Sequence, residues 1–337
     1  MNKLWILTLA VALAGCGAAA TASPPSATSQ PRKALEKMKV SYPTFSASVA
    51  PLLIAIDKGY YAAEGLELEM VKAGGGASTP ALIAGEVPYT TSSGSAISAI
   101  IGGAPLKVIY TTADRPGYEL WTVSPDVNSV NDIKGKAVAI QTRGDTNEIA
   151  MSIFLKNHGL PLNAVSYLAS GAEENKLAAM QSGSVPLAVI GATTAHQYKT
   201  SGGKGKLLAD FKKEVQMVYT GLATSDKELQ QNRDRTKRFL RATIKGREYF
   251  KAFKPETLQI LGKYNHLPEA ANEIDYDDDI PALTPDGSVP VDVQQADTAV
   301  RAQIVNVQPP PVSKIYDYTV LAEVNQELKT SGWKPQK

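Results

Sequence analysis

Cysteine is almost missing from this chain: Cys16 is the single one, and there are three histidines. One thiol excludes an internal disulfide and any metal site built on paired cysteines. His-Glu-x-x-His and Gly-x-Ser-x-Gly are also missing, which removes the metalloprotease and serine-hydrolase arrangements that need them. Neither sign of charge is in excess, with 35 basic against 33 acidic residues and no Lys/Arg run. That balance excludes a nucleic-acid surface. Long apolar runs are missing too: the ten residues Leu4 to Leu13 are too few to span a bilayer. The triple glycine Gly74 to Gly76 is not followed by Gly-Lys-Ser/Thr, so it is no phosphate loop, and it reads as a close backbone turn. Asp275, Asp277, Asp278 and Asp279 lack the central glycine and closing glutamate of an EF-hand, and read as a solvated loop. The pattern calls for no cofactor and no metal.

What is present begins at the N-terminus. Lys3 precedes the apolar run, and Ala14-Gly15 precede Cys16. "LAGC" resembles the lipobox of bacterial lipoproteins, which implies cleavage before Cys16 and lipid on that residue. Residues 1–15 are then a signal peptide. Residues 16–36, small and Ser/Thr/Pro-rich, are a flexible tether. The expected location is the cell envelope, on the periplasmic or extracellular face of a bacterial membrane.

With 43% apolar and 20% charged residues, the rest is globular and long enough for two domains. Short apolar strands alternate with helical patterns. "MKVSY" from Met38, "LELEMV" from Leu66, "PYTT" from Pro88 and "LKVIYTT" from Leu106 read as strands, separated by helices over 51–63, 79–84 and 95–101. The series then restarts: strands at "KAVAIQT" (Lys136), "AVSYL" (Ala164) and "LAVIG" (Leu187), with helices over 146–158 and 173–182 between them. This is α/β architecture written twice. One phrase marks each copy: "ALIAGEVPYTT" from Ala81 and "AMQSGSVPLAVIGATT" from Ala179 share Ala-x-x-x-Gly-x-Val-Pro before a strand that ends in hydroxyls.

Open α/β sheets bind ligands at the carboxyl ends of their strands, where loops feed helix N-termini. Two such lobes facing each other enclose a cleft. The strand-end residues suited to a polar ligand are Ser46 and Ser48, then Thr91, Ser92 and Ser93 in the first lobe. In the second they are Arg143, Gly144, Asp145 and Thr146, with Thr193 and Thr194. Arg143 suits a two-pronged clamp on an oxyanion, although Asp145 and Glu148 also form a capping-box pattern that it would merely neutralise. His196 reads as a surface or cap residue, and Tyr118 and Trp121 as packing beside the first lobe crossing.

The ordered segments "PLLIAIDKGYYAAEGLELEMV", "AGGGASTPALIAGEVPYT", "SAISAIIGGAPLKVI", "DIKGKAVAIQTRG" and "AMQSGSVPLAVI" resemble the substrate-binding proteins of ABC importers. They resemble the branch that handles nitrate, aliphatic sulfonates, taurine and thiamine-precursor pyrimidines. The resemblance implies a type II periplasmic-binding-protein fold, two α/β lobes joined by two crossover strands around a ligand cleft. Lobe one would comprise residues 37–120 and 221–337 and lobe two residues 121–220, with crossings near 118–123 and 215–223. Its C-terminal part would be helices over 227–264 and 292–329, and residues 265–311 depart from the family pattern. The implied role is capture of a small polar or anionic solute by a monomer, for delivery to a membrane permease and ATPase. A receptor feeding a membrane sensor is the alternative. An enzyme is the weakest reading, because the cysteine-rich motif of a pyrimidine-synthesising relative has no counterpart here.

Overall fold

The computed structural model describes residues 34–43, 49–73 and 76–337. Ten strands are present among them: β1 (Glu36–Tyr42), β2 (Leu66–Lys72), β3 (Tyr89–Thr90), β4 (Leu106–Ala113), β5 (Tyr118–Thr122), β6 (Ala137–Ile140), β7 (Ser166–Ala169), β8 (Leu187–Gly191), β9 (Lys206–Asp210) and β10 (Thr220–Ser225). Helices α1 (Ala50–Asp57), α2 (Tyr60–Ala63), α3 (Ser78–Ala84), α4 (Ser93–Ile101), α5 (Thr146–Asn157), α6 (Glu173–Gln181), α7 (Ala192–Thr200) and α8 (Phe211–Glu214) lie between them. The C-terminal part is helical: α9 (Asp226–Gln231), α10 (Arg233–Ala252), α11 (Lys254–Asn265), α12 (Glu269–Asp279), α13 (Val291–Ile304) and α14 (Thr319–Thr330).

The strands form two five-stranded sheets, in the orders β2-β1-β3-β10-β4 and β7-β6-β8-β5-β9. The second order repeats the first, strand for strand. In each, the fourth strand runs antiparallel to its neighbours and is the one that has just arrived from the other lobe. Central strands are covered on both faces, so they are continuously apolar rather than alternating; Leu187 to Ile190 of β8 are fully buried.

The repeated phrase marks equivalent joints. Gly85 after α3 and Gly183 after α6 have φ of 77° and 75°, and each glycine N–H bonds back to a helix carbonyl, Leu82 or Met180. The prolines that follow give up an N–H but keep a carbonyl. Pro88 accepts from the hydroxyl of Thr224 at 2.7 Å, and Pro186 from that of Thr122 at 2.8 Å, each threonine standing on the crossed-over strand.

The crossings lie at 114–117 and 215–219. The first lies before the expected 118–123 and the second starts at the expected residue but ends before 223; boundaries at 120 and 220 would cut β5 and β10. All of β5 pairs with β8, from Tyr118–Gly191 to Thr122–Leu187, and Thr220 pairs with Ala113 in the first sheet. The expected single helix over 51–63 is split into α1 and α2 by Gly59 at φ 70°. The stretch around Asp275 to Asp279, expected to be a solvated loop, is helix α12. Nor is α13 confined to the first lobe. Val293 packs in a first-lobe cluster with Val108 and Ile315, whereas Val300 packs in the second-lobe core with Ile149 and Phe154. Between them Arg301, 2% exposed, pairs with Asp297 at 2.9 Å and donates to the carbonyls of Gly94 and Val218.

Candidate functional site

The carboxyl ends of the two sheets meet at a cavity of about 280 Å³ beside the crossings. From the crossings it takes Arg115, Gly117, Tyr118 and Tyr219; from the second lobe, Gly191 to Thr193 at the start of α7; from the first, Ala50 at the start of α1. Helix α12 covers the remaining side with Asp275, Asp278 and Asp279. The two tyrosine rings stand edge to face, with centroids 5.4 Å apart. The Tyr118 hydroxyl bonds that of Thr146, 2.7 Å away, and burial pushes Tyr118 up to about 12.

Two polar contacts cross between the lobes here. Thr193 donates its hydroxyl to Asp275, and Lys212 of α8 pairs with Asp278. Asp279 is different: no hydrogen bond reaches its carboxylate among the described residues. Burial, with Asp275 beside it, pushes it up to about 8, against an opposing pull from Lys212. Burial raises Asp275 as well, partly offset by Thr193.

Behind the cavity the strand-end loops of the second lobe are tied by a buried lysine. Lys176 has no exposed surface, and its ammonium bonds Glu173 at 2.6 Å, the Asn147 side chain at 2.8 Å and the Val189 carbonyl at 2.8 Å. Glu173 in turn accepts from the Gly191 N–H at 3.0 Å, which fixes where β8 turns into α7.

The residues singled out from sequence are only partly brought together. Thr193 lines the cavity, and Thr146 reaches it through Tyr118; Thr194, one residue on, does not line it. Thr91, Ser92 and Ser93 open α4 outside this cavity, with no hydrogen-bond partner for their hydroxyls among the described residues. Close by, α4 meets α5: a Cβ on Gly94 would stand 2.9 Å from the Thr146 methyl. Gly144 adopts φ 78° and donates to Glu148 at 2.6 Å, and Asp145 caps α5 by accepting from the Glu148 N–H at 3.0 Å. Arg143 pairs with Glu148 at 2.8 Å, lies over the Tyr167 ring and is 61% exposed. It borders a separate depression with Ser152 and Gln303. His196 and Trp121 share another depression on the second lobe. Ser46, Ser48 and Cys16 lie outside the described residues.

Sequence reasoning missed Arg115, Tyr219 and above all α12. The signal was there. Asn272, Asp275 and Asp279 are spaced three and four apart on one helical face behind Pro268, whereas Glu273 and Asp277 fall on another face and pair with Lys254 at 2.9 and 2.7 Å.

Known proteins agree with this architecture. Riboflavin-binding protein RibY of Chloroflexus aurantiacus is 28% identical over 267 residues, 73% of this chain and 74% of its own. The structure of a putative periplasmic sulfonate-binding protein SsuA from Methylobacillus flagellatus superposes with a TM-score of 0.70 at 17% identity, covering 90% of this chain and 98% of that one. The desulfurization enzyme DSZB shares the fold as well, with a TM-score of 0.61 at 11% identity over 86% of this chain and 99% of its own. The fold is therefore that of the type II periplasmic binding proteins, which also serves an enzyme. A family model described as NMT1/THI5 like matches residues 46–257, and the chain belongs to that family.

Proposed function

We propose that this protein is the solute-binding component of an ABC importer, held at the outer face of a bacterial membrane by lipid on Cys16. The observation that carries the reading is the cavity at the crossings, walled by both lobes and bridged by Thr193–Asp275 and Lys212–Asp278. A solute docks on one lobe of the open form; the other rotates about 114–117 and 215–219 and adds its side chains. Only contacts made in the closed form favour closure, so groups that reach across, such as Thr193 and Lys212, set the switch. The closed form is what the permease and ATPase receive.

Family relatives are named for riboflavin and sulfonate, ligands that differ in size and charge, so this chain's own groups must define its solute. A cavity of about 280 Å³ suits a small solute of one or two rings. The clamp expected at Arg143 is engaged with Glu148, which leaves Arg115 as the guanidinium lining the cavity. The test is small-angle scattering and thermal melting of the full chain with nitrate, alkanesulfonates, riboflavin, pyrimidines and diamines. A bound solute should shrink the radius of gyration and, at about a hundred times its Kd, add about 2.7 kcal/mol of stability. No compaction with any of them would defeat the trap reading.

A further inference from the structure

The charge of the cavity wall is lopsided. Among the described residues three carboxylates, those of Asp275, Asp278 and Asp279, line it against one guanidinium, that of Arg115. Lys212 is engaged with Asp278. Asp275 has only the neutral hydroxyl of Thr193, and Asp279 has no partner among the described residues. Two carboxylates one helical turn apart, both lining a part-buried space, are unfavourable unless one takes up a proton or a positive group comes between them. The rings of Tyr118 and Tyr219 also line this wall, and an aromatic ring attracts a cation.

We infer that the solute carries a cationic nitrogen, an ammonium or amidinium group, which sits between Asp275 and Asp279 against Tyr118 and Tyr219. Arg115 then meets any polar or anionic remainder. This assignment rests on the solute-trap reading and adds the sign of charge that the trap selects.

Charge balance makes the assignment measurable. In the empty cavity Asp279 holds a proton up to about pH 8, because burial and the Asp275 carboxylate disfavour its ionised form while Lys212 favours it. The other charged and titratable groups lining this space among the described residues are Arg115, Asp278, Tyr118, Tyr219 and Tyr276, and Glu173 acts on Tyr118 and Tyr219 from α6. An entering cation replaces that proton, which leaves to solvent: the carboxylic acid becomes a carboxylate paired with the ligand's nitrogen. Binding therefore releases one proton for each cation bound and tightens as pH rises towards 8.

The experiment is calorimetric titration of the full chain with benzamidine, benzamide and benzoate, which share one ring and differ in charge. Benzamidine is expected to bind best, with affinity rising about tenfold per pH unit between 6 and 8. In buffers of different ionisation enthalpy, about one proton should leave per benzamidine at pH 7. Asp279→Asn should weaken benzamidine about ten- to a hundredfold and abolish the proton release. Asp275→Asn supplies the same affinity test if the first variant misfolds. Benzamide or benzoate binding as well as benzamidine, benzamidine binding without pH dependence, or no binding by any of the three would overturn the assignment. Compaction by riboflavin or a sulfonate, with benzamidine inert, would leave the trap standing and the charge assignment refuted. Benzamidine binding that needs Asp279 but causes no compaction would do the reverse.

Discussion

Asp279 shows how little a residue's type says about its state. An aspartate in an acidic stretch suggests solvent, and its neighbour Asp277 indeed lies outside, paired with Lys254. Asp279 instead lines the cavity, and its proton affinity rises to about 8 from an ordinary 3.8. The stability consequence has a definite sign. A carboxyl raised on folding favours the fold at low pH and penalises it progressively as pH climbs between those two values. Asp279→Asn is therefore expected to melt a few degrees above the wild type at pH 8 and level with it at pH 4, in scanning calorimetry without ligand. Lys176 presents the opposite case. It stands on α6 three residues after Glu173, wholly buried with three partners. Lys176→Met should cost about 1–3 kcal/mol in urea denaturation, because the buried Asn147 and Val189 oxygens lose their donor and the part-exposed Glu173 its cation. Spacing puts Asp279 on one helical face with Asn272 and Asp275, but that this face, like Lys176, is covered is decided by chain segments far away in sequence.

Elements were easier to read than sites. Every strand anticipated from hydrophobic pattern is present: those covered on both faces are apolar throughout, as in "LKVIYTT" and "LAVIG", whereas the edge strand "LELEMV" alternates. Boundaries failed where a local device intervened, as at Gly59, whose positive φ breaks the helix that periodicity carries on to Ala63. Helix α12 failed for another reason: acidic composition outweighed its helical spacing, so three of the four charged side chains on the described cavity wall went unseen. Close packing between helices is likewise hidden in single glycines. On α10, a Cβ at Gly246 would stand 2.1 Å from the Pro51 carbonyl of α1, so the two helices touch backbone to backbone. Gly246→Ala forces them apart, with an expected loss of about 1–3 kcal/mol read as a lower urea midpoint at unchanged slope.

At the scale of the whole molecule, the lobes communicate through few groups. Thr193 and Lys212 reach α12 from the second lobe, and Arg301 joins the start of α4 to the return crossing at Val218. The double variant Thr193→Val/Lys212→Met removes both ties at the cavity and should enlarge the ligand-free radius of gyration in scattering, with a loss of about tenfold in affinity for any solute that closes the trap. An unchanged radius and affinity would show that closure rests on other contacts. The matching strand orders of the two sheets carry one more consequence, which concerns time rather than binding. The strands of the second sheet, β5 to β9, are contiguous in the chain, whereas the first sheet has a gap between β3 and β4 that only β10 can fill. A chain emerging N-terminus first thus begins its first lobe and must leave it open until the second has passed. The half that starts first is finished last, and its unpaired β3 and β4 edges are what a chaperone would meet before β10 arrives.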